Sequence, residues 1–281
     1  MLNKTTTQIK ISFIGGGNMA GALIGGLCDK GSESICHHSD IHVVDVNADS
    51  LKNLQSKFGV TTSQTIDEQI SKSDVVLMSV KPQQMREVAE QLAPHIKNQL
   101  VISIAAGIRF GDLSRWLNDY PAIVRTMPNM PALINQGITG MYAAPGVSAA
   151  QRSSADAIMR AVGATVWLEE EAMLDPLTAV SGSGPAFVFY FMETMQKAAQ
   201  EMGFTDEQAR QLTMATFQGA VQLAGQSEES TATLRERVTS KGGTTYAALT
   251  SMQHSGVGEA IVKALKAAAL RSTELGDEFG K

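Results

Sequence analysis

Gly15, Gly17 and Ala20 follow a short apolar run, Ile9 to Ile14, in the spacing Gly-x-Gly-x-x-Ala. That pattern suits a pyrophosphate. Gly15 permits a tight turn, Gly17 removes the side chain where phosphates approach, and Ala20 lets the next helix pack close to the strand. Met19, Leu23, Ile24 and Leu27 mark that helix, whose N-terminus offers free N–H groups and a positive dipole end. A glycine-rich turn without a ligand is the plain alternative. The strand before it, the helix after it and its place at the start of the chain favour a dinucleotide. A second group stands far downstream: Ser240-Lys241-Gly242-Gly243-Thr244-Thr245 opens a helical pattern. Its N–H groups and hydroxyls can converge on a carboxylate. A helix cap needs one hydroxyl residue. Five of these six positions are hydroxyl or glycine, which exceeds that need.

The elements that must position these groups are legible as apolar runs and helical spacings. Ile41 to Asn47 reads as the second strand and its exit, where a dinucleotide fold meets the adenosine ribose. Asp45 there would hydrogen-bond ribose hydroxyls and repel a 2′-phosphate, or is an exposed strand-end acid. Leu51 to Phe58 is a helix ending at Gly59, and Ser73 to Val80 the next strand. The turn Ser79-Val80-Lys81-Pro82 lies at a strand's carboxyl end and is expected to line the cofactor cleft, with Pro82 in the first helical turn. Leu100 to Gly107 is a strand ending in small residues, Ala105 and Ala106, that leave room for a ring. Phe110 to Leu117 is a helix, and Ala122 to Arg125 a strand. It delivers Thr126-Met127-Pro128-Asn129-Met130-Pro131, a stiff turn able to hold the Asn129 amide against a nicotinamide, or an ordinary proline-rich turn.

Gly137 to Ala144 is a strand, Ser148 to Val162 an acid-capped helix, and Ala164 to Leu168 the last strand. From Glu169 onward the patterns are helical. The expected organisation is therefore a dinucleotide-binding α/β domain over residues 1–165 and an all-α domain over 166–281. After a glycine turn at Ser181–Gly184, Phe187 to Met202 is a long helix closed by Gly203. Phe187, Phe189, Tyr190 and Phe191, and then Leu212, Met214, Phe217, Val221 and Leu223, make these helices apolar nearly all round. Such helices must be covered on every side, so part of that surface is expected against another subunit. Gly256 to Ser272 closes the fold, and Asp277 to Lys281 is expected to fray.

Composition narrows the classes. The chain has 281 residues, 43% of them hydrophobic, with 28 acidic against 23 basic side chains and a net charge of −5. No basic block suggests nucleic acid, and no apolar run is long enough to cross a membrane. Residues 1–7 lack the apolar core of a signal peptide, so a cytoplasmic location is expected. Cys28 and Cys36 read as reduced bystanders, and His37-His38 as a solvated loop rather than a metal site.

The ordered set FIGGGNMA, SVKP, SIAAG, RTMPNMPA, SGSGPA and VTSKGGTTYAAL resembles the pyrroline-5-carboxylate reductases, over about residues 9 to 270. The resemblance implies an N-terminal Rossmann-like domain, a C-terminal all-α dimerisation domain, and reduction of 1-pyrroline-5-carboxylate to L-proline with NADPH or NADH. It implies a homodimer, in some members assembled into a decamer. By motif match Gly15, Gly17, Asn18 and Met19 hold the pyrophosphate, and Val80, Lys81 and Pro82 line the cofactor. Ala105 and Ala106 lie near the nicotinamide, with Asn129 close to its ribose or amide. Ser240, Gly242, Gly243, Thr244 and Thr245 form the substrate loop, with Thr245 as the side chain expected to act in catalysis. Two positions depart from the family pattern. Lys241 stands where a proline is common, and Asp45 where members preferring NADPH often carry a small or hydroxyl residue. A hydroxyacid dehydrogenase would need a Lys soon after the Ser181–Gly184 turn; Ala186 to Phe191 carry no charge.

Overall fold

The computed structural model describes residues 8–28 and 36–281; the expectation about residues 1–7 lies outside them. Eight strands form one sheet in the order β3-β2-β1-β4-β5-β6-β7-β8. They are β1 (Ile11–Ile14), β2 (Ile41–Val44), β3 (Thr61–Ser63), β4 (Val75–Met78), β5 (Leu100–Ser103), β6 (Ile123–Met127), β7 (Gly137–Ala143) and β8 (Gly163–Trp167). The first six run parallel; β7 turns back antiparallel to β6, and β8 pairs parallel with β7. In β1, β2, β4 and β5 every residue is buried, as a parallel sheet covered on both faces requires.

The pleat sends alternate residues to opposite faces. Ile11 and Phe13 pack with α1 (Asn18–Cys28), α2 (Ala48–Phe58) and α5 (Ala149–Met159). Ile14, Val76 and Met78 pack with α3 (Pro82–Leu92) and α4 (Phe110–Trp116). The helix expected to be acid-capped is instead capped by Ser148, in a capping box with Gln151, and has no acid in its first turn. The reversal of strand order falls between β1 and β4, the place where an open α/β sheet leaves a crevice outside its strand ends.

Compactness divides the chain after Ser183. One unit holds the sheet together with Ala268–Lys281, and the other is Gly184–Ala267. The boundary expected near residue 165 falls inside β8, because α6 (Leu174–Leu177) packs on β6 and β7 and keeps the chain in the first unit until Ser183. The Ser181–Gly184 glycine turn is not a turn of that kind. Residues Thr178–Gly182 form one π-helical turn, and the Ser183 N–H donates to the Thr178 carbonyl at 2.8 Å.

The second unit consists of α7 (Gly184–Glu201), α8 (Asp206–Gln226), α9 (Thr231–Arg237), α10 (Thr244–His254) and the start of α11 (Val257–Phe279). It has almost no interior of its own: Ala199, Ala209 and Thr213 are its buried residues. Phe189, Tyr190, Leu212, Val221 and Leu223 are all at least half exposed. The expected fraying of Asp277 to Lys281 is overturned. Arg109 pairs with Asp277 at 2.7 Å, Arg115 donates to the Gly280 carbonyl at 2.8 Å, and Arg86 donates to the Lys281 carbonyl at 3.2 Å. These guanidinium groups satisfy carbonyls that a helix end leaves without partners.

His42 on β2 is buried, with Nδ1 3.0 Å from Thr61 Oγ1 and Nε2 3.5 Å from Asp67. Burial pushes its imidazole below the ordinary histidine range, and Asp67 opposes this only in part. The fold therefore favours neutral His42. Its contribution to stability is complete above the unfolded value of about 6.5 and is lost as pH falls through the lower folded value. The melting temperature should fall between pH 7.5 and pH 5, and fall less in His42→Asn. Equal falls in the two proteins would show that His42 contributes nothing to the slope.

Candidate active site

The turn after β1 opens on the one position where only glycine fits. Gly15 has φ +102°, and a Cβ on it would lie 2.9 Å from the Ser79 carbonyl carbon and oxygen. The turn is also pinned. Ser79 Oγ donates to the Ile14 and Gly15 carbonyls at 3.1 and 2.7 Å. Ser50 Oγ donates to the Gly16 carbonyl at 2.6 Å, and the Gly16 N–H donates to Asp45 at 2.6 Å. A Cβ on Gly17 would meet no atom within 4 Å, so this residue faces open space at the start of α1. Ala20, one turn on, is fully buried against the sheet.

Two clefts meet at Gly17. One, of about 560 Å³, is lined by Gly15, Asp45, Val46, Ile66, Val80 and Lys81 among others. The other, of about 370 Å³, includes Gly16, Asn18 and Asn53 in its lining. Val46 is 83% exposed, an apolar side chain of the kind a flat ring covers. Asp45 stands at the exit of β2, half-buried, accepting from Gly16 N–H and from Asn47 N–H at 2.8 Å. Two further lone-pair positions on its carboxylate stay available for hydroxyls. Lys81 is the one Lys or Arg in the larger cleft among the described residues. It precedes Pro82, which occupies the first turn of α3. Ala105 and Ala106 follow β5, with Ala105 buried.

Asn129 is also tied into the frame of the fold. Its Oδ1 accepts from Ile138 N–H at 2.9 Å and its Nδ2 donates to the Ser181 carbonyl at 3.3 Å. The amide thus ties β7 to the π-helical turn, leaving it one acceptor and one donor position. The first unit therefore gathers Gly15, Gly17, Asn18, Met19, Asp45, Val80, Lys81 and Pro82 around the β1–β4 switch point. Ala105, Ala106 and Asn129 sit at the exits of β5 and β6. The residues fit a dinucleotide: open cradle at Gly17, acid at the β2 exit, apolar walls.

In the second unit Ser240, Gly242, Gly243, Thr244 and Thr245 form a turn and the first residues of α10. Gly242 has φ +73°, and Gly243 N–H donates to the Ser240 carbonyl at 3.0 Å. A Cβ on Gly243 would lie 2.6 Å from Ser240 Oγ, which would have to rotate away. Gly243 is the N-cap, and no side chain caps the helix. The Thr245 hydroxyl, one position inside the helix, is not spent on capping. The residues that sequence reasoning missed are Ser50, which holds the turn together with Ser79, and Glu171, which bonds both Phe110 N–H and Arg125. An acid within Glu169-Glu170-Glu171, just past a strand, was the only signal for the last.

Strand order, pinned glycine turn and exit acid together define a dinucleotide-binding oxidoreductase architecture. Residues 10–107 match the family described as NADP oxidoreductase, coenzyme F420-dependent, and residues 171–275 match pyrroline-5-carboxylate reductase dimerisation. The chain is 44% identical to the pyrroline-5-carboxylate reductase of Pseudomonas aeruginosa, over 97% of this chain and 98% of the relative. It is 39% identical to that of Haemophilus influenzae, over 94% and 97% respectively. The solved pyrroline-5-carboxylate reductase of Coxiella burnetii superposes with a TM-score of 0.88 at 39% identity, covering 95% of this chain and 98% of that one. The chain belongs to the pyrroline-5-carboxylate reductase family.

Asp45 should set the choice between cofactors. Replacing it with serine removes a negative charge from the place a 2′-phosphate would occupy. The kcat/KM ratio for NADPH over NADH should rise roughly tenfold, the worth of about 1.4 kcal/mol of lost repulsion. The buried Gly16 N–H also loses its partner, so the melting temperature should fall. An unchanged ratio with a lowered melting temperature would reduce Asp45 to a strut of the glycine turn.

Proposed function

We propose that this chain reduces 1-pyrroline-5-carboxylate to L-proline with NADH or NADPH, the last step of proline synthesis. The observation that carries the reading is the likeness to pyrroline-5-carboxylate reductases along nearly the whole chain, which takes in both the pinned glycine turn and the Ser240–Thr245 turn. When bound, the reduced nicotinamide supplies a hydride. Gly15, Gly17, Asn18 and Met19 hold the pyrophosphate at the start of α1. Asp45 takes the ribose hydroxyls, Val80, Lys81 and Pro82 flank the cofactor, and Ala105 and Ala106 leave room for the ring, with Asn129 beside it. In the helical unit, the turn at Ser240, Gly242, Gly243 and Thr244 holds the substrate carboxylate through N–H groups and hydroxyls.

Reduction of a C=N bond asks little of acid–base chemistry. A protonated imine is already electrophilic, so orientation supplies most of what is needed. Thr245 hydrogen-bonds the ring nitrogen and orients it. Oxidation of an alcohol would need a base for the hydroxyl proton, and Ala186 to Phe191 offer none. The exposed apolar helices of the second unit, matched to the dimerisation family, pair two copies as a homodimer. Dimers assemble further into a decamer, and the enzyme works in the cytoplasm. Among the described residues no helix is long and apolar enough to cross a membrane.

Spectrophotometric NAD(P)H oxidation, with and without pyrroline-5-carboxylate, tests the activity; a chain that binds NADH but does not oxidise it with this substrate is not this enzyme. Thr245→Val should lower kcat about ten- to a hundredfold, the loss of a hydrogen bond worth about 1.5–3 kcal/mol, with a smaller rise in KM. A destabilised but fully active Thr245→Val enzyme would end that assignment. Light scattering at micromolar concentration should give at least the mass of a dimer; a fully active monomer would refute the role given to the apolar helices.

A further inference from the structure

We infer that Glu171 is a positioning residue for the nicotinamide end of the cofactor site, acting as a staple between the exits of β5 and β6. The inference rests on the reading above, which places Ala105, Ala106 and Asn129 around the nicotinamide. Glu171 lies 61 residues from one partner and 46 from the other, yet a single oxygen serves both. Its Oε1 accepts from Phe110 N–H at 2.6 Å and from Arg125 Nη1 at 2.5 Å.

Phe110 is the first residue of α4, and its N–H is one of the donors a helix start leaves without a partner. The N-cap residue, Arg109, makes no side-chain cap bond. The helix is therefore capped from a distant segment, and a carboxylate there is favourable to the helix dipole. The segment from Ala105 to Arg109 has two ends. Ile104 N–H donates to the Met78 carbonyl at 3.2 Å and fixes the first. Phe110 N–H on Glu171 fixes the second.

Arg125 lies on β6 beside Ser103 of β5, four residues before Asn129. Its side chain is only 9% exposed, and a buried guanidinium needs a paired carboxylate. Glu171 thus holds β6 at Arg125, the last β6 residue paired with β5, while Asn129 ties the segment beyond the strand through Ile138 and Ser181. One carboxylate oxygen holds the far end of the Ala105–Arg109 segment and, through Arg125, the strand that leads to Asn129. A shift of that oxygen moves both walls at once, and placement errors of about 1 Å can cost on the order of a hundredfold in a transfer reaction.

The test compares wild type with Glu171→Gln, which keeps an acceptor at the same reach but not the charge, and Glu171→Ala, which keeps neither. Binding of NADH and of ADP-ribose, which lacks the nicotinamide, is measured by titration, with kcat and melting temperature on the same preparations. ADP-ribose should bind all three alike. NADH affinity relative to ADP-ribose should fall in the order wild type, Gln, Ala, and kcat should fall about ten- to a hundredfold in the alanine variant, with partial rescue in Gln. Three results would overturn the staple. In one, the melting temperature drops while the NADH to ADP-ribose ratio and kcat stay at wild-type values. In another, ADP-ribose binding is lost along with NADH binding. In the third, the charge-free Gln variant is no better than Ala. The binding ratio needs no turnover, so a wild-type chain inactive on pyrroline-5-carboxylate would sink the reductase reading alone.

Discussion

The constraint on which the rest depends is the crossing of the β1–α1 turn over the exit of β4. Gly15 passes so close to Ser79 that a single methyl group would collide with its peptide. Such an approach is stable only if the crowded carbonyls have partners, and Ser79 donates to two of them. Asp45 and Ser50 hold the other flank, one at the Gly16 N–H and one at its carbonyl. With the backbone fixed on both sides, Gly17 is left facing open space and Asn18 begins α1. The cradle for the phosphates is a consequence of that pinning, and so is the position of Asp45. The carboxylate proposed to meet the ribose also holds the turn, so on that proposal cofactor preference and the geometry of the cradle are coupled through one side chain.

The two units obey opposite rules of burial. The sheet unit has dense apolar packing on both faces, with four central strands wholly buried. The helical unit has long amphipathic elements and hardly any buried side chain. A single copy of such a unit would leave large apolar side chains such as Tyr190 and Val221 in water, each forgoing about 1.5–3 kcal/mol of burial. Self-association is the direct remedy, and it explains why a family is defined over residues 171–275 by dimerisation. α11 joins the two regimes, since it begins in the helical unit and its last turns belong to the sheet unit.

The alternation of strands and helices through β8 was legible because the buried strands are short, mainly apolar runs and most exits carry a punctuating Gly, Pro or Asn. The glycine turn, Asp45 and the Ser240–Thr245 turn were legible because their residue types are unusual at that density. Three features were not. β3 has only three residues, Thr61-Thr62-Ser63, and lies at the sheet edge, where no apolar run is required. The tail after Asp277 reads as polar and free, yet it is fixed by Arg86, Arg109 and Arg115, partners more than 160 residues away. The flanking prolines of Asn129 left a ligand-facing amide and an ordinary turn both open, and gave no sign that both ends of the amide also join β7 to the π-helical turn. Local pattern shows what a residue can do. Which partner claims it is decided by contacts distant in sequence.

The charges of the sheet unit are mostly spent on architecture, which accords with a reaction needing orientation more than proton transfer. Burial raises the tendency of Asp156 to protonate, but hydrogen bonds from Arg160, Thr165 and Trp167 outweigh it and hold the carboxyl below its ordinary range. That carboxylate joins α5 to β8. Glu171 joins two strand exits, and Asp175 accepts from Ser272 and Thr273 on the last turns of α11. Each of these carboxylates is bonded to another element of the fold. Groups with unspent hydrogen-bonding capacity include the hydroxyls of the Ser240–Thr245 turn, the remaining lone pairs of Asp45, and the N–H groups at the start of α1. That inventory can bind anions, orient a ring nitrogen and exclude misplacement. A chemistry that begins from an already electrophilic carbon requires no more, because hydride transfer then depends on the distance and angle at which two bound molecules are held.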